Sequence, residues 1–268
     1  MRSQSKTLYI MSTFLFDSTI FGPVRSRRLG VSLGINLLPN DRKLCSFDCL
    51  YCECGFGRRT HGKASLPSRQ DVGQQLEAKL QEMLRRGELP DVLTFAGNGE
   101  PTLHHDFAGI IDDTLLLRDR YAPRAKVCVL SNASQLHRAD VVAALRKVDD
   151  NILKVDAGEE ETILGLNRPQ YKYSLERTVE QIAGFGDNLI VQTMFVGWHA
   201  DDVVFDNSTD ECVTRWLEII ERIAPPAVMI YTIARDTPLS GMQKTPPQRL
   251  DAIAERVRRI VGRVQVSY

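Results

Sequence analysis

The stretch RLGVSLGINLLPNDRKLCSFDCLYCECGFG (residues 28–57) joins an apolar run to a loop that holds four of the chain's six cysteines. The apolar run (28–38) is rich in Leu, Val and Ile and does not alternate cleanly between polar and apolar positions. Strands that are buried on both faces of a parallel sheet have this composition. The stretch therefore predicts a buried strand whose carboxyl end leads into a cysteine loop.

The same kind of apolar run recurs along the chain, and helical patterns lie between the runs. Predicted strands cover 28–38, 91–97, 126–132, 151–157, 188–196 and 227–233, and predicted helices cover 68–87, 105–121, 137–148, 172–184, 208–223 and 246–261. Six successive strand–helix units predict parallel strands joined by right-handed crossovers. We expect an α/β fold, either an open barrel of six units or a doubly wound sheet, with its active site where the strands end.

We expect these units to form one domain (1–268), with an N-terminal arm (1–27), six βα units (28–261) and a C-terminal tail (262–268). Residues 7–16 are the most apolar part of the arm, but they are too short to span a membrane. The formal net charge of zero offers no broad surface for phosphates. The cysteines are too few and too clustered for a disulfide scaffold, so we expect a reducing, cytoplasmic location and no membrane partner.

The cysteine loop has the spacing of a metal-binding loop. Cys45, Cys49 and Cys52 are separated by three and two residues, and Tyr51 precedes the third cysteine. Three thiolates on one loop can hold three corners of a 4Fe–4S cube and leave one iron open. A structural zinc site usually takes four ligands in two separated pairs, and no second pair is present. The spacing favours the cluster over zinc, and it leaves Cys54 as a bystander, a redox-active thiol or a thiol that faces a substrate.

Polar residues lie at the ends of the predicted strands, where the βα loops of such folds meet. They are Gly97, Asn98, Gly99 and Glu100 after the second strand, Ser131 and Asn132 at the third, Lys154 and Asp156 at the fourth, Gln192 and Thr193 in the fifth, and Tyr231 and Arg235 at the sixth. Such residues can bind the polar groups of a ligand. Each also has a structural alternative, which is a tight turn, a helix cap, a satisfied core group or a surface ion pair.

Three arginines lie just before the first predicted strand or at its start, at positions 25, 27 and 28. They can clamp a phosphate-bearing substrate or the acidic face of a reductant. A solvated loop is an equally good interpretation of such a run.

The cysteine motif resembles the signature of the radical S-adenosylmethionine (radical SAM) superfamily. Residues 21–56 resemble more narrowly the Fe–S oxidoreductases that are grouped with the wybutosine-synthesis enzymes. The segments 95–107, 151–158 and 230–238 extend the likeness over most of the chain. The resemblance implies a partial (βα)6 barrel of parallel strands.

The resemblance also implies two cofactors, a 4Fe–4S cluster and S-adenosylmethionine (SAM). Cys45, Cys49 and Cys52 hold the cluster in this reading and leave one iron open to SAM. The implied SAM contacts are Tyr51, Gly97, Asn98, Gly99, Glu100, Ser131, Asn132, Lys154, Asp156, Gln192 and Tyr231. The Gly97–Glu100 turn corresponds to the superfamily's site for the methionyl amino group, although Asn98 stands where many members have glycine.

The implied activity is one-electron cleavage of SAM to methionine and a 5′-deoxyadenosyl radical that abstracts hydrogen from a substrate. An electron donor such as flavodoxin or ferredoxin is implied as a partner. The substrate is undetermined, and the catalytic candidates are Lys154, Arg235 and Cys54.

Two alternatives stay open beside this reading. The first is a tRNA-modifying enzyme of the wybutosine type. The enzymes of that group resemble each other in carrying three further N-terminal cysteines, and residues 1–44 contain none. The second is a non-catalytic iron–sulfur electron-transfer protein in which Cys54 is a fourth cluster ligand.

Overall fold

The computed structural model describes residues 14–26, 29–57, 62–200 and 203–268, without the side chains of residues 199, 200, 203 and 204. The strands are β1 (Ile20–Ser26), β2 (Gly30–Ile35), β3 (Val92–Phe95), β4 (Lys126–Ser131), β5 (Asp150–Lys154), β6 (Leu189–Met194), β7 (Val196–Ala200), β8 (Val203–Asp206), β9 (Ala227–Tyr231), β10 (Met242–Lys244) and β11 (Arg263–Ser267). The helices are α1 (Arg69–Arg86), α2 (Phe107–Tyr121), α3 (Ala139–Leu145), α4 (Glu160–Leu166), α5 (Leu175–Ala183), α6 (Asp210–Ile223) and α7 (Pro247–Arg258).

Eight strands form one sheet in the order β1-β2-β3-β4-β5-β6-β9-β11. Strands β2 to β11 of this sheet pair in parallel, and β1 is antiparallel to β2. The parallel strands follow each other in chain order without reversal, which distinguishes an open barrel from a doubly wound sheet. The predicted partial barrel of parallel strands is confirmed.

All six predicted strands and all six predicted helices occur, with ends that differ by a few residues. Strands β1 and β11 were not predicted; they lie in the predicted arm and tail and form the two edges of the sheet. Strand β1 is largely exposed, so it lacks the apolar run that marked the buried strands. A three-stranded sheet of β10, β7 and β8 and the short helix α4 were also missed.

The helix α1 shows how the sequence defines the outer layer of the barrel. The Ser68 side chain accepts a hydrogen bond from the Asp71 backbone, the Asp71 side chain bonds back to Ser68, and Gly87 ends the helix in a left-handed conformation. Its buried face packs on the strands. A second apolar cluster fills the inner face of the barrel with Val92, Cys128, Ile152, Ile190, Ala227 and Met229. Cys128 is therefore a small core residue, as its position within a predicted strand indicates.

The carboxyl ends of β5 and β6 are tied together by the buried side chain of Asn207. Its Nδ2 atom donates to the carbonyls of Asp156 at 2.9 Å and Met194 at 2.8 Å, and its Oδ1 atom accepts from the Val196 amide at 2.8 Å. Backbone groups at and just past these strand ends thereby have hydrogen-bond partners. Asn207 thus holds the edge of the barrel to which the predicted site residues belong.

Among the described residues, no helix combines the length and the apolar character that a membrane crossing requires.

We predict that Asn207→Ala lowers the free energy of unfolding by about 2 kcal/mol, because it leaves buried backbone groups without partners. Urea denaturation of the metal-free protein under reducing conditions measures the loss. The exposed Gln74→Ala on α1 is the control, with an expected change within about 0.5 kcal/mol. Equal effects of the two substitutions would contradict the role assigned to Asn207.

Candidate functional site

A cavity of about 280 Å³ opens at the carboxyl ends of the barrel strands, beneath the cysteine loop. The sequence-predicted site residues that line it are Cys45, Cys49, Tyr51, Cys52, Cys54, Gly97, Gly99, Glu100, Ser131, Asn132, Lys154, Gln192, Tyr231 and Arg235. Among the predicted cofactor contacts, Asn98 and Asp156 do not line this cavity. The fold therefore brings residues from five strand ends and one loop to a single place.

The cysteine loop is docked on the glycine turn by its backbone. Leu44 donates its amide to the Asn98 carbonyl at 2.9 Å and accepts at its own carbonyl from the Glu100 amide at 3.1 Å. Gly99 has φ +142°, and a Cβ atom there would lie 1.8 Å from the Leu44 carbonyl oxygen. Only glycine permits this approach, because the neighbour is backbone and cannot rotate away.

On its other side the loop contacts the last residue of α4 and the segment that follows it. The Asp48 amide donates to the Asn167 carbonyl at 3.0 Å, the Leu50 amide to the Leu166 carbonyl at 2.9 Å, and the Gln170 amide to the Ser46 carbonyl at 2.8 Å. Because both flanks of the loop are hydrogen-bonded, its position above the barrel mouth is fixed.

The sulfur atoms of the motif cysteines accept hydrogen bonds. Cys45 accepts from the Phe47 amide at 3.4 Å and from Asn132 Nδ2 at 3.6 Å, and Cys49 accepts from Asn167 Nδ2 at 3.5 Å. Cys52 accepts from the side chains of Cys54 and Lys43. Donors directed at sulfur suit thiolates that ligate a metal, so the residues fit an iron–sulfur cluster.

Within the described ranges, no group of three or more His, Cys, Asp or Glu side chains is arranged around a point that could hold a single metal ion. A cubane cluster does not require such convergence, because each thiolate binds a different iron.

Cys54 is a buried thiol next to the motif. Its single S–H lies within hydrogen-bonding distance of two acceptors, the Cys52 sulfur and the Gly97 carbonyl, the latter at 3.4 Å. The shared hydrogen bond lowers the pKa of Cys52 and raises the pKa of Cys54. The thiol therefore acts as a donor to its neighbour.

Lys43 is the charged residue of the loop that sequence reasoning missed. Its side chain is 1% exposed, and Nζ donates to Asp48 Oδ1 at 3.0 Å and to the Gly55 carbonyl at 2.8 Å. Burial opposes the charge, but attraction to the motif sulfurs and to Asp48 outweighs it and raises the pKa of Lys43. Its position two residues before Cys45 was the available signal.

Asp156 lies behind the cavity wall and supports Tyr51. It accepts from the Tyr51 hydroxyl, from Asn167 Nδ2 at 2.6 Å and from the Met194 amide at 2.9 Å. Burial raises the pKa of Tyr51, so the phenol keeps the proton that it donates. Asn167 bonds to Cys49 as well, and it thereby connects this network to the motif. Asn167 was missed because α4, which it follows, was not predicted.

Asn98 also lies outside the cavity. Its Nδ2 donates to the carbonyls of Phe16 and Pro39, each at 2.8 Å, and its Oδ1 accepts from the Phe16 amide at 2.8 Å. The side chain is fully buried and holds the described end of the N-terminal arm under the cysteine loop. The side-chain amide of Asn98 is therefore hydrogen-bonded to backbone groups on both its nitrogen and its oxygen.

Glu100 presents a buried carboxylate at the cavity. One oxygen accepts from the Asn132 amide at 2.7 Å, and the other accepts from the Thr102 amide at 3.2 Å and hydroxyl at 2.5 Å. Burial raises the pKa of Glu100, and these hydrogen bonds partly offset the rise. Within the described residues, Glu100 forms no ion pair with a cationic side chain.

Lys154, Tyr231 and Gln192 form a polar wall opposite the loop. Lys154 Nζ donates to the Tyr231 hydroxyl at 3.3 Å, which in turn donates to Gln192 Oε1 at 3.4 Å. Burial disfavours the ammonium, yet attraction to Asp156 and Tyr231 outweighs it and raises the pKa of Lys154. The neighbouring Thr193 points elsewhere and donates to the Val155 carbonyl at 2.7 Å, as a satisfied core group.

Arg235 lies at the cavity mouth, where its guanidinium pairs with Glu53 Oε2 at 2.7 Å. Both side chains are exposed, so the pair contributes little to stability. The partner is an acid of the cysteine loop and not the adjacent Asp236. Of the arginine run, Arg25 lies on β1, while Arg27 and Arg28 lie outside the described residues.

No family model matches the chain. Among curated proteins, it is 31% identical over 238 residues to a protein named GTPase Obg from Brachyspira hyodysenteriae, with 88% of this chain and 32% of that protein covered. It is 32% identical over 233 residues to a UPF0026 protein of Methanocaldococcus jannaschii, with 85% of this chain and 67% of that protein covered. The chain thus spans about a third of the first relative's length and two thirds of the second's.

Several solved structures are similar in fold at low sequence identity. A structure of Streptococcus suis SuiB bound to S-adenosylmethionine covers 85% of this chain and 49% of its own, with a TM-score of 0.60 and 13% identity. The match to a radical SAM methyltransferase from Sphaerobacter thermophilus covers 88% of this chain and 66% of that one, with a TM-score of 0.62 and 12% identity. The match to archaeal TYW1 covers 86% of this chain and 72% of that one, with a TM-score of 0.53 and 11% identity. The chain therefore belongs to the UPF0026 family and has the partial-barrel fold of the radical SAM superfamily.

Proposed function

We propose that this protein is a radical SAM enzyme that binds a 4Fe–4S cluster through Cys45, Cys49 and Cys52 and binds SAM in the adjoining cavity. When bound, the two cofactors supply one-electron cleavage of the SAM sulfonium to methionine and a 5′-deoxyadenosyl radical, which takes a hydrogen atom from a substrate. The electron comes from an external low-potential donor such as a flavodoxin or a ferredoxin. One observation carries the proposal: the three motif cysteines line the same cavity as Glu100 and the polar strand ends.

Glu100 is assigned to the amino group of SAM. A buried carboxylate is costly without a positive partner, and in the described part of the chain Glu100 has hydrogen bonds but no ion pair. An ammonium group that enters the cavity would supply the missing charge. The uncompensated charge of Glu100 supports the same role that the glycine-rich turn implies.

Asn98 and Asp156 are assigned supporting roles in place of the cofactor contacts predicted from sequence. The contacts of both side chains are made to protein atoms behind the cavity wall. Asp156 orients Tyr51 and, through Asn167, the sulfur of Cys49. The main chain of residue 98 still belongs to the turn, so the turn itself stays part of the proposed SAM site.

Lys154 and Arg235 are assigned to anionic groups. Lys154 stands at the cavity wall with a charge that is only partly neutralised, since its nitrogen is 3.7 Å from the nearest Asp156 oxygen. It suits a carboxylate of SAM or of a substrate. Arg235 can exchange its exposed partner Glu53 for an anionic substrate group at the mouth, because an exposed pair is weak.

The contacts of Cys54 disfavour the alternative in which four cysteines hold the cluster. The Cys54 thiol has the Gly97 carbonyl and the Cys52 sulfur as acceptors. A ligating thiolate would lose the proton that makes these bonds. In the proposed arrangement, Cys54 supports the loop as a donor, and the fourth iron is left open to SAM.

We predict that Cys45→Ala, Cys49→Ala and Cys52→Ala each abolish cluster binding, while Cys54→Ala retains it. Loss of a ligand should exceed the roughly 10–100-fold cost of losing a supporting residue. Iron and sulfide content after anaerobic reconstitution measures cluster binding. Release of 5′-deoxyadenosine after reduction measures SAM cleavage. A wild-type protein without iron, or a Cys54 variant without iron, would overturn the three-ligand proposal.

We predict that Glu100→Gln weakens SAM binding by about ten- to a hundredfold, because a hydrogen bond to a charged group contributes about 1.5–3 kcal/mol. Anaerobic calorimetry on the reconstituted protein gives the dissociation constant. Glu53→Gln at the exposed mouth is the matched control, with an expected change below about fivefold. If the two substitutions have the same effect, Glu100 is not the ammonium site.

A further inference from the structure

The ammonium of Lys43 uses all of its hydrogen-bonding capacity inside the cysteine loop. A lysine carries three N–H donors. They have three acceptors here, which are Asp48 Oδ1 at 3.0 Å, the Gly55 carbonyl at 2.8 Å and the Cys52 sulfur. Because the side chain is 1% exposed, water takes no part in holding this charge.

The charge of Lys43 is not neutralised by Asp48 alone. Asp48 Oδ1 also accepts from the Gly57 amide at 2.8 Å, and the carboxylate is more exposed than the lysine, with 13% of its side chain accessible. Lys43 is also attracted to each of the three motif sulfurs when these are thiolates. The ammonium therefore acts on the sulfurs as well as on Asp48.

The other cations near the motif are placed differently. Lys154 interacts with Cys49, but it is 18% exposed and lies near Asp156 and the Tyr231 hydroxyl on the cavity side. Arg235 is exposed and paired with Glu53. Among these three described cations, Lys43 has the least exposed side chain. Since the effective dielectric is lower away from water, the attraction of Lys43 to the sulfurs is little screened.

We propose that Lys43 is a positioning residue that sets the reduction potential of the bound cluster. This inference rests on the proposed function, because it requires the 4Fe–4S cluster. Reduction adds one electron from an external donor and makes the cluster one unit more negative, while Lys43 keeps its charge. A fixed positive charge and a hydrogen bond to a ligating sulfur both favour the reduced form and raise the potential.

The test is an anaerobic redox titration with dithionite and mediators, followed by electron paramagnetic resonance of the reduced cluster in the absence of SAM. Lys43→Met and Lys43→Gln should shift the potential to more negative values, and Lys43→Arg should stay near wild type. Asp48→Asn keeps an acceptor oxygen but removes the opposing charge, so it should shift the potential to more positive values. Lys63→Met, which removes a charge from an exposed position, should leave the potential unchanged.

Opposite signs for the Lys43 and Asp48 variants separate electrostatics from damage to the loop, since general damage has no reason to act in two directions. If the Lys43 variants hold no iron, the Asp48→Asn variant alone tests the inference, and only a shift of its potential to more positive values supports it. No shift, or shifts in the same direction, in variants that hold wild-type amounts of iron would overturn the inference. A wild-type protein that binds no cluster would instead overturn the proposed function.

Discussion

The site depends on one backbone contact, in which Leu44 pairs with the turn that follows β3. The Leu44 amide and carbonyl bond to Asn98 and Glu100, and the contact leaves no room for a side chain at Gly99. Without it the cysteine loop would be held on one flank only, by its hydrogen bonds to the segment at the end of α4. With it, Cys45, Cys49 and Cys52 line the cavity that also contains Glu100. Gly99, which the sequence shows only as part of a turn, is therefore required for the geometry of the whole site.

Charge is the second organising constraint. Glu100 and Asp156 are buried carboxylates, and Lys43 and Lys154 are cations with little exposure. Such groups are tolerated only when partners compensate them. Asp156 is compensated within the protein by hydrogen bonds and by Lys154, and Lys43 is paired with Asp48, whereas Glu100 has hydrogen bonds but no ion pair among the described residues. Glu100 lies at the proposed SAM site, where a positive cofactor group is expected, and Lys43 lies beside the proposed cluster site, where negative charge is expected.

The sequence predicted the six parallel strands because buried strands carry unbroken apolar runs, and it predicted the motif cysteines because their spacing is local. Cavity residues at strand ends followed from the same logic. That Asn98 and Asp156 do not line the cavity did not follow, since a polar residue at a strand end can point into a cavity or behind its wall. Asn167 was missed because α4 was not predicted, and Asn207 was missed because its contact with Asp156 joins segments that are 51 residues apart in the chain. Lys43 was overlooked because surface lysines are common and burial is not visible in one sequence.

The central claim is that three cysteines leave one iron for SAM. A crystal structure of the anaerobically reconstituted protein with SAM tests it most directly. The account predicts Cys45, Cys49 and Cys52 on three different irons, with the amino and carboxylate groups of SAM on the fourth and Glu100 at the amino group. A fourth iron bound by Cys54, or a single metal ion held by the same cysteines, would contradict it.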